Sequence, residues 1–356
     1  MPTSKRAAKI PIIFLGTGAS APFDYPPTKP FVDALRARFP DATPLGNLFR
    51  SLLEVGIIDD VEHILEVADH FEEHRETRLR AFFSQMHLTF PKFKDCSYDE
   101  LESLMLSLRN EIRTEIFRTY SWKPRIAPLL DLYDRLFSIF GSAVLDVFTT
   151  NYDRVIEEYC GQRGILCYDG FRHNERESVY EWDPSTLKRR MALSGETILW
   201  LHKLHGSLNW RRMTTGRVVR VNPEEPIGIG GEESYSENLL IYPAQKDVPE
   251  SDPFRSLYDS FERRMSTSNL CVVLGFSFRD PYLNEVFADF LRREKTLLIS
   301  LSPSASFDFD NLRPYLEPRH LSDMTWKGDN AVTLNAQFDP DGLKTMAEAL
   351  AKARLR

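Results

Sequence analysis

AVLDVFTTNYDRVIEEYCGQ occupies residues 143–162. It opens on an apolar, β-branched run, AVLDVFTT (143–150), which reads as a buried strand. Helical spacing takes over from about Asp153 to Gln162, and the polar turn Thr149-Thr150-Asn151-Tyr152-Asp153 separates the two. The same strand–turn–helix rhythm recurs on both sides. Upstream, IIFLG (12–16) delivers the glycine-rich GTGASAP (16–22) and then a helix. Downstream, TILWLHKLHG (197–206), CVVLGFSF (271–278) and TLLISLS (296–302) read as strands, and PYLNEVFADFLRRE (281–294) as a helix. RVVRV (217–221) and LLIYP (239–243) read as further short strands. The alternation predicts an α/β fold: a Rossmann-like, mostly parallel sheet with helices on both faces.

A long helical block interrupts this pattern. Helical spacing runs over Thr28–Phe39 and again from about Asp59 to Met86. Ser97 followed by Glu100 is a capping-box signature, and Leu101, Leu104, Met105, Leu108, Ile112 and Ile116 form the stripe of the helix it starts. Another helix is expected from Pro124 to Phe140, stopped by Gly141. The predicted organisation is a core over 10–44 and 143–302, a helical insert over 45–142, and a C-terminal segment, 303–356, that completes or flanks the core. Residues 222–238 and 303–330 read as loops.

Composition excludes several classes. Of 356 residues, 42% are hydrophobic and 27% charged, which is globular rather than disordered. Lys and Arg number 45 against 52 Asp and Glu, a net charge of −7, so no direct nucleic-acid contact is expected. Cys96, Cys160, Cys167 and Cys271 are too scattered for a disulfide scaffold, and none pair at CxxC spacing for a zinc ribbon. No apolar run approaches the ~18 residues of a membrane span. Lys5, Arg6 and Lys9 before IPIIFLG, with ASA at 19–21, imitate a secretory signal. Pro11, Gly16 and Gly18 interrupt that apolar stretch, so it reads as a strand entering a turn, in a cytoplasmic protein.

Ligands in open α/β sheets bind beyond the carboxyl ends of strands. Four turns there are polar or glycine-rich: GTGAS (16–20), TNYD (150–153), HGS (205–207) and GFSFRD (275–280). Gly16, Gly18 and Ala21 satisfy a relaxed G-x-G-x-x-A spacing, where glycine lets backbone approach a phosphate and a helix N-terminus favours negative charge. A tight strand-to-helix turn accounts for the same residues. Asp41 falls at the distance of a ribose-binding acid, but RARFP before it is no strand, and no Walker lysine follows the loop. Asn151 or Asp153 can equally cap a helix, His205 can be a turn histidine, and Ser277 a strand-end hydroxyl.

GTGAS, TNYD, LHGS and GFS in this order resemble the sirtuin-like NAD-consuming superfamily over about residues 10–302. TTNYDRVIEEY and KLHGSLNW carry most of the likeness. The sequence looks most similar to the bacterial antiphage-defence branch, whose members hydrolyse NAD+ and arrest the infected cell. The zinc ribbon of sirtuin deacylases is missing, and Thr150 stands where they favour Gln. The resemblance implies an NAD+ glycohydrolase, an NAD-depleting effector of abortive infection, with NAD+ as substrate and no metal. It implies Asn151, His205 and Asp153 as catalytic residues, and Gly16, Gly18, Ala19, Ser20, Thr150, Gly275 and Ser277 as the nucleotide cradle. It also implies a homo-oligomer, gated by self-assembly or by a partner such as a ring-forming helicase-type ATPase or a short Argonaute. An NAD-dependent protein deacylase or ADP-ribosyltransferase, and a non-catalytic module sensing NAD or ADP-ribose, stay open.

His202 is the rival of His205, but lies within the strand, where residues 202 and 205 face opposite sides. No metal site is expected from the pair, since no acidic or cysteine cluster joins it. His63, His70, His74 and His87 fall in charged helical sequence, and Lys188, Arg189 and Arg190 read as a solvated loop face.

Overall fold

A computed structural model of the chain describes residues 11–54, 64, 65, 68, 96–121, 124–141, 144–175, 179–188, 197–221, 235–240, 251–316 and 330–354. Most of the helix expected over Asp59–Met86 lies outside these residues, as do His63, His70, His74, His87, Arg189, Arg190 and the basic N-terminus. The chain divides into two compact units, one of Met1–Tyr25, Lys123–Ile241 and Lys246–Arg356, the other of Pro26–Trp122 and Tyr242–Gln245.

The first unit carries twelve strands among the described residues: β1 (Ile12–Leu15), β2 (Val144–Thr149), β3 (Leu166–Tyr168), β4 (Phe171–Asn174), β5 (Val179–Trp182), β6 (Ile198–Lys203), β7 (Gly206–Met213), β8 (Val218–Arg220), β9 (Tyr235–Leu240), β10 (Leu270–Leu274), β11 (Leu297–Ser302) and β12 (Ala331–Asn335). Seven form a sheet in the order β12-β11-β10-β1-β2-β6-β3, parallel throughout. Its central strands are near-continuous apolar runs because both faces are covered. Ile12 and Phe14 enter an aromatic cluster with Phe261 and Phe287, at ring distances of 5.5 and 5.1 Å for Phe14. Ile13 and Leu15, on the opposite face, are equally buried.

One register row positions everything that follows. Leu15 pairs with Leu274 on one side and Thr149 on the other, and Thr149 pairs with Lys203. The next residues out of the sheet are therefore Gly275, Gly16, Thr150 and Leu204. All four polar turns leave the same rim at the same height.

The second sheet, in the order β4-β5-β8-β7-β9, is antiparallel and departs from the expected parallel alternation. Its strands are legible one by one at 217–221 and 239–243, yet β9 starts earlier, at Tyr235, inside a stretch expected to be loop. Gly206, at φ +85°, turns the chain from parallel β6 into antiparallel β7. The region 303–330 likewise holds two short helices, Ala305–Asp310 and Arg313–Leu316, too brief to carry a readable period.

The second unit contains α1 (Thr28–Arg38), α2 (Pro44–Glu54) and α3 (Tyr98–Tyr120). The capping box forms as expected: Glu100 N donates to Ser97 Oγ at 3.3 Å and Ser97 N to Glu100 Oε2 at 2.8 Å. Leu101, Met105, Leu108, Ile112 and Ile116 of the stripe are buried, which makes them core, and Leu104 is half-buried. In the sheet-bearing unit the helices include α4 (Ile126–Phe140), α5 (Val155–Arg163), α6 (Phe254–Thr267), α7 (Pro281–Arg292) and, after the two short helices, here α8 and α9, α10 (Pro340–Arg354). Gly141, at φ +57°, ends α4 where the sequence places its stop.

Candidate functional site

Beyond β1 the chain makes two single turns, Thr17–Ala19 and Ala21–Phe23, rather than entering a helix. Asp24 at φ 73° ends the second turn, and Pro26 and Pro27 hold the chain extended until α1 begins at Thr28. The expected helix N-terminus at the glycine loop is therefore absent, and with it the dipole share of the phosphate reading. The glycines also have a local cause. Gly16 N donates to Leu274 O at 2.9 Å and Gly18 N to Gly275 O at 3.0 Å. A Cβ at Gly16 would sit 2.5 Å from Gly275 O, one at Gly18 2.8 Å from Gly275 Cα, and one at Gly275, itself at φ +61°, 2.4 Å from Ala19 N. The GTGAS and GFS turns are two backbones in direct contact, and this requires glycine on both sides.

The third turn is keyed to the first by side chains. Thr150 N and Thr149 Oγ1 both donate to Leu15 O, at 3.3 and 3.0 Å. Asn151 Nδ2 donates to Gly16 O and to Ser20 Oγ, each at 2.9 Å. Ser20 Oγ in turn donates to Asp153 Oδ2 at 2.7 Å, and Asp153 Oδ1 accepts from Val155 N at 3.0 Å, just ahead of α5. Asp153 thus orders Ser20, and Ser20 orders Asn151. Ser20, which the resemblance places in the nucleotide cradle, is buried, and its hydroxyl belongs to this chain of bonds. Burial pushes the Asp153 carboxyl up, against the pull of the Lys203 ammonium, the Ser20 hydroxyl and the Val155 amide. The Tyr25 and Tyr133 phenols, buried near that carboxylate, are pushed up in turn. Asn151 Oδ1 is buried and has no hydrogen-bond partner among the described residues.

The fourth turn joins both neighbours. Leu204 N donates to Thr149 O at 2.8 Å and Leu208 N to Tyr152 O at 3.3 Å. His205, 2% exposed, shares a 3.2 Å hydrogen bond from Nε2 with Asp280 Oδ2 in the GFSFRD turn. That turn holds Phe278 at φ +53°, a conformation costing ~1–3 kcal/mol in a non-glycine residue. Rings of Phe276 and Phe287 at 5.2 and 5.3 Å fix the Phe278 side chain, and Asn284 Nδ2 fixes its carbonyl at 2.7 Å. Ser277 is half-buried, with its carbonyl accepting from Asn311 Nδ2 at 2.8 Å. Among the described residues no hydrogen bond joins His205 directly to Asn151. They are linked through the backbones of four turns. His202 lies inside β6, stacked on Phe148 at 4.2 Å, with Nε2 3.9 Å from Asp146 Oδ1.

The family described as the SIR2-like domain matches residues 146–323, half of the 356-residue chain. The chain belongs to the SIR2-like family. Among solved structures this SIR2-like chain is similar to a Sir2 homolog–NAD complex, with 12% identity over 96% of this chain and 88% of that one and a TM-score of 0.42. It is also similar to Sir2 bound to acetylated peptide, with 12% identity over 96% and 94% of the two chains and a TM-score of 0.41. No curated protein matches it.

Lys203 of this SIR2-like chain is a site residue that motif order does not pick out. Its ammonium, 1% exposed, donates to Ser207 Oγ at 2.7 Å, to Glu157 Oε1 at 3.0 Å, and to the carbonyls of Tyr152, at 3.3 Å, and Asp153. It ties the TNYD turn to the HGS turn. The signal is a lysine inside a strand whose other residues are apolar or aromatic, since such a charge is buried only when paired. Lys203→Met is expected to lower unfolding free energy by about 2–4 kcal/mol, because two buried carbonyls and a carboxylate lose their cation. Denaturant titration measures this, and a loss below ~1 kcal/mol would mean the ammonium does not hold the turns.

Proposed function

We propose that this SIR2-like protein is an NAD+ glycohydrolase that releases nicotinamide and ADP-ribose. The observation that carries this reading is Asn151. One arm of its amide is spent on Gly16 and Ser20, and the other, Oδ1, is buried without a protein partner among the described residues, at the rim where all four turns leave the sheet. Leaving a buried carbonyl unpaired costs about 1–3 kcal/mol, a cost that makes sense where a ligand supplies the donor. A ribose hydroxyl or the attacking water is such a donor.

Nicotinamide leaves NAD+ as a neutral base, so the reaction needs no general acid. The bond between ribose C1′ and the pyridinium nitrogen breaks, and its electron pair neutralises that nitrogen. Water adds to the oxocarbenium-like carbon, as in glycoside hydrolysis, and gives up one proton, for which His205 is the acceptor. Asn151 aligns the water or the ribose, Asp153 holds Asn151 through Ser20, and the Gly16–Ser20, Thr150 and Gly275–Ser277 turns surround the dinucleotide. The absent CxxC pairs speak against the deacylase alternative. Because unchecked NAD+ loss kills a cell, the activity is gated by self-assembly or by a partner, a helicase-type ATPase ring or a short Argonaute, in keeping with a cytoplasmic antiphage effector. Among the described residues no helix is long and apolar enough to cross a membrane.

Product analysis after incubation with NAD+, across the oligomeric fractions of the purified chain, tests the reading. Nicotinamide and ADP-ribose should appear in equal amounts. No release in any fraction, alone or with an activating partner added, or release unaltered by His205→Ala, overturns it. Release only in the presence of an acetylated peptide or a protein acceptor would favour a transferase or deacylase instead.

A further inference from the structure

We propose that Asp280 is a positioning residue: it holds His205 in the tautomer protonated at Nε2 and leaves Nδ1 as the nitrogen that accepts a proton. The two side chains come from turns far apart in sequence, yet both are buried, His205 at 2% and Asp280 at 4% exposure. His205 Nε2 and Asp280 Oδ2 are 3.2 Å apart. The other oxygen, Oδ1, accepts from Leu283 N at 2.9 Å as the N-cap of α7, a helix of 12 residues. With one oxygen capping the helix, the carboxylate cannot turn away from the ring without uncapping α7.

The tautomer follows from donor arithmetic. An ionised carboxylate only accepts, so the ring nitrogen facing it must carry hydrogen. A neutral imidazole has one N–H, which leaves the lone pair on Nδ1. A proton taken at Nδ1 then makes a cation whose charge Asp280 offsets across the same bond. The anchor also belongs to the site's own frame. Asp280 closes the turn that begins at Gly275, whose carbonyl holds Gly18 N at 3.0 Å, and Gly16 in that loop accepts from Asn151. Ring orientation at His205 and amide orientation at Asn151 are thus referred to one pair of touching backbones. The assignment of Nδ1 as the accepting atom in catalysis rests on the NAD+ reading above, whereas the tautomer does not.

Asp280→Asn separates the roles. Asparagine caps helices about as well as aspartate, so α7 stays capped through its amide oxygen, and the amide NH2 now faces Nε2. That nitrogen must then accept, and the hydrogen moves to Nδ1. Nitrogen-15 NMR on histidine-labelled protein, with the His205 signals assigned by their loss in His205→Gln, reads the tautomer directly. The expected spectrum is Nε2–H in the wild type and Nδ1–H in Asp280→Asn. For nicotinamide release, kcat should fall about a hundredfold or more with KM for NAD+ little changed, as a carboxylate-to-amide change beside a catalytic base implies. Asp280→Ser, which caps but does not reach the ring, should fall between the two.

Nδ1–H already in the wild type overturns the proposal even if no variant folds. An unchanged tautomer in Asp280→Asn, or a changed one with kcat intact, overturns it too. If the tautomer inverts as expected but the wild type releases no nicotinamide in any fraction, alone or with an activating partner added, the Asp280–His205 assignment stands and the NAD+ reading falls.

Discussion

Asn151→Ala should reduce nicotinamide release by about two orders of magnitude or more while leaving the fold nearly as stable as before. The two halves of this expectation come from the same amide. For activity, the residue offers the substrate a preorganised acceptor in a water-poor site, and removing one such group typically costs ~10²–10³ in rate. For stability, the bonds from Nδ2 to Gly16 O and Ser20 Oγ are lost, a penalty of about 1–2 kcal/mol. Against this, Oδ1, already unpaired in the free protein, disappears with its own penalty. The net change should stay within about 1–2 kcal/mol. Initial rates with NAD+, beside denaturant unfolding of the same preparations, give both numbers. A variant that unfolds as readily as Lys203→Met would mean that Asn151 serves chiefly to brace Gly16 and Ser20. A stable variant with wild-type turnover would remove it from the chemistry.

A stability effect as large as that of Lys203→Met is expected at Gly275. An alanine there adopts the left-handed region at φ +61°, costing about 1 kcal/mol. Its Cβ also lands 2.4 Å from Ala19 N and 2.5 Å from Gly18 C, and both of those atoms are backbone, which has little freedom to yield. Separating the two turns adds a further ~1–3 kcal/mol, for a total near 3 kcal/mol. Gly164 is the internal control. It has nearly the same φ, +63°, but its Cβ would meet nothing within 4 Å, so Gly164→Ala should cost only the ~1 kcal/mol of conformation. If the two variants lose equal stability in the same denaturant, the GTGAS and GFS turns are not in close contact. If they differ as expected, Gly275→Ala should also depress nicotinamide release, since the separated turns carry Gly16 and with it Asn151.

Much of the fold is legible in the sequence itself. Runs such as CVVLGFSF and TLLISLS announce buried strands because neither face of a covered parallel sheet tolerates polar alternation. The Ser97–Glu100 box and Gly141 mark helix ends because capping is satisfied within a few residues. Asn151, Asp153 and His205 stand out as polar groups at strand ends. Other features mislead or stay hidden for equally physical reasons. Glycine at 16, 18 and 275 signals close approach without saying what approaches, so one of its partners stays hidden. Here it is the neighbouring turn. Ser20 meets Asp153 across 133 positions and His205 meets Asp280 across 75, distances over which no periodicity carries. The antiparallel sheet is hidden because its short strands have the same composition whichever way they pair.

From sequence alone come the segments that become strand or helix, the turns that hold polar groups, and the family resemblance in their order, because local apolar spacing, capping and motif order are written within short windows of chain. Tertiary structure decides which of those polar groups meet. The strand order β12-β11-β10-β1-β2-β6-β3 sets residue 15 between residues 274 and 149, with residue 203 one strand beyond. Only that arrangement puts a buried lysine between two turns, a carboxylate against His205, and one unpaired amide oxygen at the rim, because each partner is supplied by a segment remote in sequence and adjacent only through the pairing of whole strands.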